Sequence, residues 1–569
     1  MRRRTKAVLA SLGAFVIGAG ATVVVAEPWS SSGARAERRA TRSAPTTAPK
    51  APDRPGIYAA WVQLENAKPG TADWGITSAA PGEVEGYAST VSAQQGDTVT
   101  LYVSTMESSF HVEAYRMGWY QGLGSRLVAR SAEIPGAKQP PPTIASGTSM
   151  VEAHWQPSLQ ILVDASYPPG VYLFKLVTPN NFQQWVPLTV RDDQNSAAYF
   201  VMDAVTTWQA YNEWGGCSLY ICHGKGAGGR SKVVSFDRPY DLGAGAGDFV
   251  GNEFPLIRRM EEWGLDVTYS TDVDLHRHPD LLARHRTLVS LGHDEYWSKA
   301  MRDGAETARD RGVNLAFFGA NAIYRQIRFE PSDLGPDRHE VNYRTADDPI
   351  RHDDPSQTTV SFREPPVSRP ESTLLGEQYE CNPVRADMVV GDPSAWVYEG
   401  IGLAAGQRLA VVIGSEYDRY QAGPGVPENV QVLAHSPVDC RGRASYSDMT
   451  YYTVPSGAGV FDTGTNYWVS KHDPPGPGSA YNLAVLLISG NVLKVFGAGP
   501  AGRTHPSVPN AKDLPSPPRG SEKPSRSTAP IEGPSPAPAA PPPTAPPTAS
   551  TAPPTTTTTT TTLPSPPPS

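Results

Sequence analysis

The stretch Thr287-Leu288-Val289-Ser290-Leu291-Gly292-His293-Asp294-Glu295-Tyr296-Trp297 is a short apolar run that passes directly into polar, chemically capable residues. Its texture recurs along the chain. Ala198-Tyr199-Phe200-Val201-Met202 leads through Thr206-Thr207-Trp208 to Tyr211-Asn212, Val313 to Phe318 leads into Gly319-Ala320-Asn321, and Leu409-Ala410-Val411-Val412-Ile413 leads into Gly414-Ser415-Glu416. Between these runs, residues 254–264 have helical spacing and stop at Gly264, and Ser298 caps a helical pattern that ends at Gly312. Strands that are apolar throughout, alternating with helices, predict a parallel sheet covered on both faces. That reading gives an α/β domain over 196–500. Ligands of such sheets bind beyond the carboxyl ends of the strands, so the polar residues after each run predict a cleft there.

Upstream, residues 56–195 read as an all-β domain. Val99, Leu101 and Val103 alternate with Thr98, Thr100 and Tyr102, and Pro168-Pro169-Gly170 marks a turn before Val171 to Val177. Short alternating runs between Gly/Pro turns predict a β-sandwich. The aromatic-rich residues 115–120 are expected to pack against the neighbouring domain. Residues 501–569 hold 21 of the 57 prolines and a run of eight threonines, a composition that predicts a disordered tail.

At the other end, Arg2, Arg3, Arg4 and Lys6 precede the uncharged Ala7 to Ala26. This pattern predicts a signal peptide or an N-terminal membrane anchor over 1–27, then a spacer over 28–55, with the body outside the cytoplasm. The protein is therefore expected to be secreted or held at the cell surface, where the first segment and the tail suit membrane or cell-wall association. Four cysteines fit an oxidising compartment, with Cys217–Cys222 and Cys381–Cys440 the expected pairs. The rival reading makes Cys217, Cys222 and His223 metal ligands. The whole chain carries −8, but the two ends hold 15 of its 49 basic residues and only 6 of its 57 acidic ones, leaving the body at −17. An acidic body without a Lys/Arg run lacks the footprint of a nucleic-acid binder.

Each candidate has a plain structural alternative. Asp294 and Glu295 could stabilise the first turn of the following helix, and Asn321 could simply take a turn conformation. The run 243–247 has dinucleotide-loop glycines but follows no strand. Asp272, Asp274, His276 and His278 fit a strand-to-helix cap better than a metal site. No Gly-x-Ser-x-Gly elbow occurs, which argues against a covalent serine mechanism. A metal, or a binding cleft without chemistry, remains.

Taken together, 208–216, 235–240, 269–276, 292–297 and 317–321 resemble the C-terminal domain of the large subunit of N,N-dimethylformamidase, more weakly so at 115–126. The resemblance implies a glutamine-amidotransferase-like α/β fold. It also implies hydrolysis of a small amide at a mononuclear ferric ion (Fe3+) held by two tyrosines and a glutamate. Carried over, Glu295 is the metal glutamate and Tyr211 one tyrosine; Tyr172, on the strand after Gly170, is taken as the second. His293 is the implied proton-transfer histidine, and Asn321 and Glu416 are further pocket residues. Phenolate and carboxylate are hard anionic donors suited to a trivalent ion, whose charge two phenolates and one carboxylate balance. The family's enzyme also has a small subunit, and one chain leaves that partner, or a homo-oligomer, open. Export departs from what a catabolic enzyme of dimethylformamide needs. The rival from another class is an envelope protein whose cleft binds glycan or peptide without catalysis.

Overall fold

The computed structural model describes residues 56–515 except 227, 345, 346 and 477, together with the backbone of three two-residue strands at Val16–Ile17, Ala21–Thr22 and Ser30–Ser31. The expected export segment, the spacer and the Pro/Thr run beyond 515 otherwise lie outside the described residues. Among the described residues no helix is long and apolar enough to cross a membrane.

The alternation read in the first domain builds two antiparallel layers. Thr98–Thr105 pairs with Val84–Ala88 on one side and Leu159–Leu162 on the other. The second layer runs in the order Ser125–Arg130, Ser109–Met117, Gly170–Val177, Gln183–Arg191, Ser92–Gln94, with the last strand pairing in parallel. Between them Val99, Leu101, Phe110, Val112, Phe174 and Leu176 form a buried core. Each such side chain contributes roughly 1.5–3 kcal/mol through burial.

The second domain is centred on a seven-stranded sheet in the order Val267–Thr271, Tyr199–Asp203, Thr287–Gly292, Asn314–Gly319, Gly459–Asp462, Arg443–Thr453, Gln431–Cys440. The first five strands are parallel, and the last two are added by antiparallel pairing. Flanking helices include Phe254–Glu262, Lys299–Asp310 and Leu483–Gly497. Ser298 caps Lys299–Asp310 as read, accepting from the Met301 N–H. The chain as described is mostly β, with few helices and several small mixed sheets beside the main one.

Two expectations change. The run 409–413 is not a strand of the parallel sheet: Arg408–Arg419 forms an antiparallel pair with Gln378–Val389. Its apolar continuity has another cause, because Val412, Ile413 and Tyr417 are buried in one cluster with Leu433, Met449, Val485 and Ile488. The tail does not begin at 501. Ala501 is buried, Tyr451 donates to the His505 carbonyl, and the Asn510 amide pairs with both backbone groups of Val432 at 2.7 and 3.0 Å. Residues 501–515 thus lie along the outer strands of the sheet.

The two domains are joined through a buried ion pair. Arg116, on a sandwich strand, meets Glu261 of the Phe254–Glu262 helix at 2.6 and 3.0 Å, with both side chains fully buried. Tyr115 and Met117 beside it share the core cluster of the second domain, as the aromatic stretch suggested.

Candidate functional site

Gly292 makes the turn that ends the third parallel strand. Its φ is +60°, and an added Cβ would lie 2.2 Å from the Asn252 carbonyl, so only glycine fits. The turn delivers His293, Asp294 and Glu295 to one end of the sheet. The Glu295 N–H donates to Thr207 Oγ1 at 3.0 Å, and its carbonyl accepts from the Arg325 N–H at 2.9 Å. The following helix starts only at Lys299, after a short strand, so neither carboxylate serves its first turn. Asp294 instead accepts from Ser290 Oγ and Trp297 Nε1, each at 2.7 Å.

Glu295 faces two tyrosines. Tyr211 ends the Val205–Tyr211 helix, and its hydroxyl donates to Glu295 Oε2 at 2.7 Å. The hydroxyl of Tyr220 donates to the same oxygen at 2.7 Å, and the two phenol oxygens are 2.6 Å apart. Three oxygens therefore form a triangle with edges of 2.6–2.7 Å. The rings stack with centroids 4.3 Å apart. Behind them Tyr296 donates to Tyr220 at 2.8 Å, and Arg344 donates to Tyr296 at 2.5 Å. Burial, and then the Glu295 charge, push both phenols well above 10. They keep their protons unless a cation takes their place.

Tyr220 lies on the loop closed by Cys217–Cys222, and Cys381 pairs with Cys440. Both expected pairings are present, and disulfide-bonded sulfurs are not the thiolate ligands of the rival reading. Tyr172 is not at the site. It is buried in the sandwich core with its ring against Tyr167, and its hydroxyl donates to the Pro168 carbonyl at 2.8 Å. The second tyrosine on Glu295 is Tyr220. Nothing periodic marks it in the sequence; its place between paired cysteines, nine residues after Tyr211, is the signal that was there to use.

His293 sits between carboxylates, with Nε2 3.3 Å from Glu416 and 3.5 Å from Glu295. Burial disfavours its charged form, but Glu416 and Glu295 outweigh burial and raise it to about 9. Burial pushes Glu416 upward, and His293 with the amides of Asn382 and Asn321 reverses it, leaving the carboxyl lowered. Asn382 Nδ2 donates to Glu416 Oε1 at 2.8 Å. The Asn321 N–H donates to Asp418 at 2.9 Å with φ at 58°, so this residue does take the turn conformation while its side chain faces Glu416. His293 Nε2, Glu416 Oε2, Asn321 Oδ1 and Arg325 Nε are all buried without a hydrogen-bond partner among the described residues. Buried polar atoms held only by long ion pairs, and gathered in one place, suit a ligand site.

The donor set fits a hard cation: oxygens only, two phenols and one carboxylate, already in mutual contact. A second grouping, Glu152, Asp237 and His339, brings its ligand-type atoms within 4.8 Å of one another. Its groups are already engaged, His339 with Glu152 at 2.6 Å and Arg338 with Asp237 at 2.7 Å, so a cation there competes with a guanidinium. The other four acid and imidazole residues noted in the sequence are structural. Asp274 completes a capping box with Thr271, Asp272 accepts from the Thr206 N–H, and His276 reaches Ser298; His278 follows as the residue after that short helix. A cleft between the domains, lined by Tyr87, Trp208, Phe236 and Arg338, contains none of the triangle.

No curated protein matches the chain. A family model described as N,N-dimethylformamidase beta subunit-like, C-terminal, matches residues 111–478, which include Tyr211, Tyr220, His293, Glu295, Asn321 and Glu416. With well over half its length inside that match, the chain belongs to the N,N-dimethylformamidase beta subunit-like, C-terminal family.

Proposed function

We propose that this protein is an exported, metal-dependent hydrolase that cleaves the C–N bond of a small amide, with ferric iron held by Tyr211, Tyr220 and Glu295. The observation that carries the reading is the oxygen triangle of two phenols and a carboxylate. A hard trivalent cation bound by those oxygens supplies Lewis acidity toward an amide carbonyl.

The remaining chemistry belongs to side chains of the chain itself. Hydrolysis removes a proton from water and delivers one to the departing nitrogen. Glu416, lowered and therefore ionised, is the acceptor beside the site. His293, raised to about 9, carries a proton at neutral pH and is placed to return it to the nitrogen. Asn382 fixes the Glu416 carboxylate through Oε1 and leaves Oε2 free toward the imidazole. Glu416 and Asn382 are buried and the His293 side chain is 12% exposed, so bulk water screens these charges little. On this account His293→Ala keeps its iron and loses about 10²-fold or more in turnover of small formamides and acetamides. Unchanged turnover in that variant removes His293 from the mechanism.

Export is part of the proposal. It rests on the basic and then apolar residues 2–26 and on the two disulfides. A cytoplasmic pool with four free thiols in the native host contradicts it.

A further inference from the structure

We propose that Arg325 is an anion receptor within this site, and that the amide it serves carries a carboxylate close to the scissile bond. The inference rests on the metal-site reading above and narrows its substrate class.

Arg325 opens the Arg325–Ser332 strand, and its backbone N–H is tied to the Glu295 carbonyl. The residue is 9% exposed. Its guanidinium lies 4.4 Å over the ring of Tyr324, and Nε comes within 3.6 Å of Glu295 Oε1, beyond hydrogen-bonding distance. Nε is buried and without a hydrogen-bond partner among the described residues. The other buried arginines behave differently. Arg116 grips Glu261 and the Pro169 carbonyl, Arg238 the carbonyls of Asn212, Trp214 and Cys217, Arg302 Glu306 and the Pro370 carbonyl, and Arg338 Asp237. A guanidinium has five donors in a planar fork, and leaving the buried Nε–H unmade costs free energy that a ligand recovers.

Charge points the same way. Glu295 is the sole ion-pair partner of Arg325 among the described residues. Once Glu295 is committed to a cation with the two phenolates, Arg325 keeps no anion of its own. Arg344, 4.1 Å over the Tyr220 ring with Nε unpartnered, adds a second positive charge to the same wall. A neutral amide uses neither guanidinium. An amide with a carboxylate, such as an N-acyl amino acid, matches the fork in shape and charge.

The test compares N-acetylglycine with its neutral counterpart N-acetylglycinamide on the full-length protein. Binding is measured calorimetrically on iron-loaded and chelator-treated samples, so the result does not depend on turnover. N-acetylglycine is expected to bind about tenfold or more tightly than the amide. Arg325→Gln is expected to abolish that preference while iron content stays unchanged, and Arg325→Lys to keep part of it. Equal binding of the two probes by the wild-type protein overturns the proposal, whatever the fate of the variants. So does an Arg325→Gln effect of the same factor on both probes, which would assign the side chain to the reaction's oxyanion or to positioning Glu295. A protein that takes up no iron on loading and still prefers the carboxylate defeats the metal reading and leaves the anion receptor standing.

Discussion

At the scale of single residues, the site depends on which oxygens touch Glu295. Tyr220→Phe preserves the ring stack with Tyr211 and removes one corner of the triangle. Iron occupancy is expected to fall at least about tenfold, whereas Tyr172→Phe, which loses one hydrogen bond to a carbonyl, should leave iron untouched and cost about 1 kcal/mol of stability. Metal analysis with thermal melts of both variants checks this. The reverse pattern would return the metal site to the sandwich. His293, Glu295, Asn321 and Glu416 were legible in the sequence because each stands a few residues after a continuous apolar run. Tyr172 and Tyr220 were not separable that way. A tyrosine on a buried strand and a tyrosine on a loop look alike until the fold decides which hydroxyl meets the carboxylate.

At the scale of elements, the 217–222 loop holds Tyr220 in place. The disulfide closes it, the Leu219 N–H donates to the Ala210 carbonyl at 3.0 Å, and Leu219 packs with Val234, Tyr296 and Ile327. Replacing Cys217 and Cys222 together by alanine opens only a short chain loop, so the entropic loss of stability is small. The Tyr220 hydroxyl nevertheless loses its fixed approach to Glu295. The expected outcome is a melting temperature within a few degrees of wild type and a clear loss of iron affinity; unchanged affinity would show that Leu219 alone suffices. The sandwich and the parallel strands were readable from alternation and from apolar continuity. Residues 409–413 show where continuity misleads, since this antiparallel strand reads as apolar as a central parallel one although it leaves Ala410 exposed and Val411 half-buried. Residues 501–515 show the same limit for composition, because Pro-rich chain can still dock through side chains such as Asn510.

At the scale of the whole molecule, the interior holds many carboxyls raised by burial. Asp203, beside Glu253 under the interdomain contact with Thr189, is pushed up to about 7; Asp248 is also raised to about 7 and Asp418 to about 8. A carboxyl raised in the folded chain adds stability that is complete below its unfolded pKa, near 4, and is lost as pH rises through the folded value. His293, raised to about 9, acts in the same sense higher up. His472, lowered to about 4, acts oppositely only below about 6.5. The melting temperature is therefore expected to fall between pH 6 and pH 9, and Asp203→Asn to flatten the lower part of that fall. A melting temperature that rises across this range would mean these carboxyls are ionised in the folded protein.

The measurement that bears most directly on the account is the iron content and visible spectrum of the full-length protein expressed with adequate iron. The triangle of Tyr211, Tyr220 and Glu295 predicts about one iron per chain and a coloured protein, because phenolate bound to ferric iron absorbs visible light. Glu295→Gln should lose iron and colour together while the fold stays intact. A colourless, iron-free wild-type protein would contradict the account and leave the cleft as a binding site for glycan or peptide.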